Sequence, residues 1–147
     1  EFYIITNADD ATNFKIVKTK VANPGIENWE DLIPHRKETL LEGFEIFKDY
    51  FVLEERTDGL LQIKIIENRT GNSHYLEFSD PTYTAYIGLN LEFDTTKLRF
   101  GYTSLTKPNS TIEYDMKEKT SRVLKQHEVL GGNSRQRVNG VMAKRKR

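Results

Sequence analysis

Hydrophobic and polar positions alternate along most of the chain with a period of two, which turns successive side chains to opposite faces of a strand. Three such runs begin at residues 2, 51 and 98: Phe2-Tyr3-Ile4-Ile5-Thr6, Phe51-Val52-Leu53-Glu54-Glu55 and Leu98-Arg99-Phe100-Gly101-Tyr102. Each is followed by a polar break and a second run, at Phe14 to Lys18, Leu61 to Ile65 and Thr111 to Asp115. The breaks Asn7-Ala8-Asp9-Asp10, Thr57-Asp58-Gly59 and Lys107-Pro108-Asn109-Ser110 hold residues suited to turn dihedrals, so each pair predicts a hairpin. A third run completes each unit, at Trp29 to Ile33, Tyr75 to Phe78 and Arg122 to Lys125. Further apolar runs, Phe44 to Phe47 and Ala85 to Gly88, precede the second and third hairpins.

The recurring unit is therefore four short antiparallel strands in about 48 residues, and its first copy lacks the opening strand. That is the blade of a β-propeller, an all-β fold that protects its sheet edges by radial repetition. A β-sandwich is the alternative, but it does not require the same strand order to return at one period. The expected architecture is a partial propeller of about three blades over residues 1–132, divided near 1–41, 42–83 and 84–130. Fewer than three complete blades cannot close a ring of ~4 to 8, so the end blades must meet something else, and an edge-to-edge oligomer is one way to do so. Glu30 to Leu41 contains good helix formers, yet Pro34 interrupts it at a cost of ~3 kcal/mol, which predicts a strand followed by a loop.

Composition agrees with half-buried pleated surfaces: 37% hydrophobic, 11% aromatic and no cysteine. The lack of cysteine excludes disulfides and thiolate chemistry, and points to a reducing cytoplasm. No run approaches the ~20 apolar residues of a membrane span, and no membrane partner is expected. The chain opens in mid-pattern without a starting Met, which suggests a fragment. The zero net charge conceals a tail: residues 133–147 carry six Lys or Arg and no acid, leaving 16 basic against 22 acidic residues elsewhere. Such a tail reads as the start of a linker to another domain; a nucleic-acid grip is the lesser reading, and no nucleic acid is expected as a partner.

Catalytic constellations are missing from the pattern. None of the six serines sits in G-x-S-x-G, and His35, His74 and His127 lie far apart without metal-ligand spacing. No phosphate-cradling glycine motif occurs, and no cofactor, metal site or catalytic residue is assigned. The pairs Asp9-Asp10 and Glu54-Glu55 point to opposite faces of their strands, so solvated charge is their expected role. Two loops are richer than a turn requires, Glu54 to Gly59 and Thr103 to Ser110. Both join the second and third strands of a unit, so the repeat puts them on one face, where Arg56, Thr57, Asp58, Thr103, Ser104 and Asn109 would meet a domain or a peptide. The plainer possibility is local pairing of Arg56 with an acid and a turn stiffened by Pro108.

Several segments in order resemble the propeller of oligopeptidase B, in the prolyl oligopeptidase family of serine peptidases. They are Glu27-Asn28-Trp29-Glu30-Asp31-Leu32-Ile33-Pro34-His35-Arg36, Leu40 to Arg56, Tyr102-Thr103-Ser104-Leu105-Thr106 with Pro108, and Leu124 to Gly132. The resemblance implies a cytosolic serine peptidase cleaving short peptides after Arg or Lys, whose propeller caps an α/β-hydrolase domain and filters what reaches it. The Ser-Asp-His triad of that family would lie beyond this chain, so the chain itself would be a noncatalytic segment packed on the hydrolase domain of its parent. A free-standing protein-binding module is the alternative function.

Overall fold

The computed structural model describes residues 1–129; the basic tail and a further strand expected at Arg137 to Val141 lie outside them. Eleven strands form three antiparallel sheets. Blade 1 holds β1 (Phe2–Thr6), β2 (Lys15–Thr19) and β3 (Glu30–Ile33). Blade 2 holds β4 (Leu40–Ile46), β5 (Tyr50–Thr57), β6 (Leu60–Glu67) and β7 (Ser73–Tyr75). Blade 3 holds β8 (Tyr83–Ile87), β9 (Lys97–Ser104), β10 (Ser110–Asp115) and β11 (Thr120–Gln126). Each sheet is a meander in chain order, and the strand missing from blade 1 is the one that β4 and β8 supply in the other two. A partial propeller is thus the observed fold, and Pro34 does end a strand rather than a helix.

The blades stack because their central strands are apolar on the faces that meet. In β5, Phe51 and Leu53 turn toward blade 1 and pack with Ile16 and Leu41, while Val52 turns the other way. With Val52, Ile63 and Ile65 of β6 close a second core against Leu98, Phe100, Tyr102 and Tyr114. The register puts Phe51 opposite Ile66 and Val52 opposite Ile65, so cross-strand partners share a face and each seam has an apolar centre. A strand buried on both faces cannot alternate cleanly, which is why the first half of β5, Tyr50 to Leu53, reads as a continuous apolar run, whereas β6 keeps its alternation with Gln62 and Lys64 between Leu61, Ile63 and Ile65.

Two strands differ from the sequence expectation. β4 starts at Leu40 rather than Phe44, because a bulge between Leu41 and Gly43 interrupts the alternation by one residue. β7 is Ser73–Tyr75 rather than Tyr75 to Phe78: Leu76 and Phe78 leave the sheet to pack against the core between blades 2 and 3.

A meander of four strands returns the chain to the end where it began. The crossings from β3 to β4 and from β7 to β8 therefore lie at the same end of the stack as the β5–β6 turn and the β9–β10 loop, here called the crossing end.

Candidate functional site

Both loops singled out from the sequence lie at the crossing end. The β5–β6 connection is a two-residue turn in which Asp58 and Gly59 adopt φ of 50° and 79°, the left-handed pair that matches strand twist in a tight hairpin. Behind it the Arg56 guanidinium is committed locally: Nε donates to Glu42 Oε1 at 2.5 Å, Nη2 to Glu42 Oε2 at 3.3 Å and Nη1 to the Gly59 carbonyl at 3.1 Å. Glu42 is the residue skipped by the β4 bulge, and the bulge aims it at Arg56. Thr57 shares a hydroxyl contact of 3.1 Å with Thr39 across the sheet, and Asp58 is left exposed at the tip.

The β9–β10 loop is organised by its own hydroxyls. Ser104 Oγ accepts from the Thr106 and Lys107 amides at 3.2 and 3.0 Å, and Thr103 Oγ1 donates to the Lys107 carbonyl at 3.2 Å. The Asn109 carbonyl accepts from the His127 amide at 2.9 Å, tying the exit of β11 to the loop. A carboxylate that sequence reasoning missed anchors the whole segment. Asp80, in the crossing from blade 2 to blade 3, accepts from Tyr102 Oη at 2.6 Å and Thr106 Oγ1 at 3.1 Å, and its Oδ2 lies 3.0 Å from Lys107 Nζ. Burial alone would raise the Asp80 carboxyl, but the donors from Tyr102, Lys107 and Thr106 outweigh it and hold it below its ordinary value. Burial and the adjoining Asp80 charge push the Tyr102 phenol well above its ordinary range. The sequence signal, a lone Asp before Pro81, carries no hint of partners 22 and more residues away.

Beside this loop a cleft of about 570 Å³ opens between blade 3 and the crossing segment Glu77-Phe78-Ser79, lined by Phe78, Phe100, Ile112, Val123 and Lys107 among others. Phe78 builds its wall by stacking on Tyr102 and by a tilted contact with Tyr83, with ring centroids 5.1 and 4.5 Å away.

The pair Glu54-Glu55 departs from expectation. The two side chains do point to opposite faces, but neither is a solvated charge. Glu55 has no exposed side-chain surface and binds Arg36 and, at 2.9 Å, Tyr75 Oη at the seam with blade 1. Glu54 Oε2 accepts the Ile87 amide of blade 3 at 2.9 Å, and burial raises its carboxyl above the usual range. His74 is placed in β7, where its Nε2 meets Tyr114 Oη at 3.0 Å across the second seam. Among the described residues, no cluster of three or more His, Asp or Glu side chains has the geometry of a metal site.

Stacked antiparallel meanders joined at one end define the protein class: a β-propeller segment. The chain belongs to the prolyl oligopeptidase N-terminal β-propeller family, whose model matches residues 1–127. It is 38% identical over 128 residues to dipeptidyl aminopeptidase BI of Pseudoxanthomonas mexicana, a match covering 87% of this chain and 18% of the relative. Oligopeptidase B from Trypanosoma brucei, solved with covalently bound antipain in a closed form, superposes with a TM-score of 0.77 at 26% identity, over 90% of this chain and 20% of that one. Oligopeptidase B from Leishmania major gives 0.78 at 21% identity, over the same shares, which bears on the fold alone. The chain thus spans about a fifth of the length of the proteins it matches. In those proteins the propeller is joined to a catalytic domain in a single chain.

Proposed function

We propose that this segment is the noncatalytic gate of a cytoplasmic serine oligopeptidase that cleaves short peptides after Arg or Lys, and that its crossing end faces the catalytic domain. The supporting observation is topological. Because each four-stranded blade begins and ends at the crossing end, a domain that follows such a blade is tethered there. The Asp58 tip and the Asp80-anchored loop with Thr103, Ser104 and Asn109 stand at that end, so they are the groups a peptide or the catalytic domain would touch. The covalent antipain complex of the trypanosomal relative supports a peptide substrate.

The test uses the full-length chain. It should hydrolyse a short Arg-containing reporter and leave the same sequence intact when it is embedded in a folded protein. Residues 1–147 alone should hydrolyse neither. Equal rates on both substrates would remove the gating role, and cleavage away from Arg and Lys would remove the specificity.

A further inference from the structure

Exposed leucines are ordinary on a protein surface, and one of them means something only when its surroundings are built to hold it in place. Leu105, with 75% of its surface exposed at the tip of the β9–β10 loop, is held in that way. The turn beneath it is closed by the Ser104 amide, which donates to the Lys107 carbonyl at 3.1 Å. The polar side chains on either side of it all bond inward. Ser104 Oγ shares a hydroxyl contact of 3.2 Å with Thr106 Oγ1, which also reaches Asp80, and Lys107 Nζ donates to Ser79 Oγ at 2.9 Å besides its pair with Asp80. What the turn offers outward is therefore one apolar side chain on a fixed backbone. A rigid apolar tip needs little ordering when it docks, so the gain from burying it is not offset by the cost of fixing a loop.

The same turn of blade 2 shows that the hairpin does not require such a tip. There Asp58 and Gly59 take the corresponding place and present no apolar side chain. In blade 3 the other loop residues of this kind, Leu89, Leu91 and Phe93, sit on the β8–β9 connection at the opposite end of the stack.

The chain also leaves blade 3 beside Leu105. Gln126 Nε2 donates to Ser110 Oγ at 3.1 Å and the His127 amide to the Asn109 carbonyl at 2.9 Å, so the end of β11 is fastened to the loop that carries the leucine. A domain joined to the propeller at this exit is kept at high local concentration around the tip.

We propose that Leu105 is the docking knob by which blade 3 holds the catalytic domain of the longer chain, its side chain buried against apolar surface of that domain. This deepens the proposed function and rests on its placement of the crossing end against the catalytic domain. The path of the chain selects the partner. Relatives join propeller and catalytic domain in one polypeptide, this chain spans about a fifth of their length, and the exit from blade 3 lies at the knob.

The test uses the full-length chain with a photoreactive residue at one position. Leu105→p-benzoylphenylalanine should cross-link to the catalytic domain of the same molecule, whereas Leu91→p-benzoylphenylalanine, also exposed but at the opposite end, should not. Leu105→Ser, which leaves Asp80 and its donors in place, should make protease cutting between the two domains several-fold faster. Cross-links from position 105 to another blade or to a second molecule, no cross-link, equal yields from positions 105 and 91, or cutting unchanged by Leu105→Ser each overturn the proposal. Reporter hydrolysis by the same samples keeps the two readings apart. A chain that fails to cleave after Arg or Lys yet cross-links as expected loses the peptidase reading alone, and an active chain without the cross-link loses the knob alone.

Discussion

Arg36, in the connection that leaves blade 1, closes an ion pair with Glu55, a side chain with no exposed surface in the middle of blade 2. Tyr75 Oη completes the carboxylate's shell from β7, so one buried charge joins three segments of the chain. Removing one partner of such a pair leaves the other charged and dry, a far larger penalty than the pair's own net contribution. Arg36→Met should destabilise the propeller by about 3 kcal/mol, at the low end of the usual range because Arg36 is one-third exposed. Replacing both, Arg36→Met with Glu55→Gln, should recover part of that loss. Urea midpoints of the two variants check it, and equal midpoints for the single and double changes would show that no stranded charge is involved.

At the β5–β6 turn the backbone, not packing, sets the residue choice. Gly59 has φ of 79° and open space around its Cα, so an added methyl would meet nothing within 4 Å. The cost of Gly59→Ala is then purely conformational, about 1 kcal/mol, from holding a residue with a Cβ in the left-handed region. Asp58→Asn at the preceding left-handed position should be near neutral, since Asn tolerates that region at least as well. Thermal unfolding of the two variants gives the comparison directly.

These two cases mark what was legible in the sequence. The Asp58-Gly59 turn and most of the strands are local facts, written in alternation and turn residues, and the nearly equal spacing of Phe2, Phe51 and Leu98 carries the blade repeat, whereas the bulge in β4 and the early end of β7 are not written in the alternation. The partners of Arg56 were legible as the plainer possibility, because a neighbouring acid on an adjacent strand suffices. Arg36 with Glu55 and Asp80 with Tyr102 were not, since each joins residues 19 or 22 apart that meet only once blades stack. The solvated role expected for Glu54-Glu55 failed for the same reason: the sequence shows two charges on a strand, and only the stacking of blades on both sides shows that neither faces water.

The acid response should have an identifiable source in Asp115. Its hydrogen bond from Lys97 lowers the carboxyl to about 2 against burial, and the amides of Glu118 and Lys117 add to the shift by bonding Oδ1. A carboxyl lowered in the folded state stabilises it fully above the unfolded value of 3.8, and that contribution is lost as pH falls toward about 2. Asp115→Asn should therefore be less stable than the parent at neutral pH, with the difference shrinking between pH ~4 and ~2. Urea unfolding at a series of pH values measures it; a constant difference across that window would assign the acid limb to other groups.

Asp80 offers a way to loosen the crossing-end loop without touching its exposed residues. Its carboxylate collects Tyr102, Thr106 and Lys107, two of which belong to the loop itself. Asp80→Ala leaves the hydroxyl of the buried Tyr102 and the Thr106 hydroxyl without that acceptor, a loss of about 1 to 3 kcal/mol for hydrogen bonds to a charged group. The loop amides of Ser104 to Lys107 and of Asn109 should then exchange with solvent faster in the full-length chain, while those of the β5–β6 turn, held by the Glu42–Arg56 pair, should keep their rates. Under the proposed function the same change should lower discrimination between a free reporter and the same sequence in a folded protein, because a loop at the domain-facing end has lost its tether. Faster exchange with unchanged discrimination would place the gate elsewhere on the propeller.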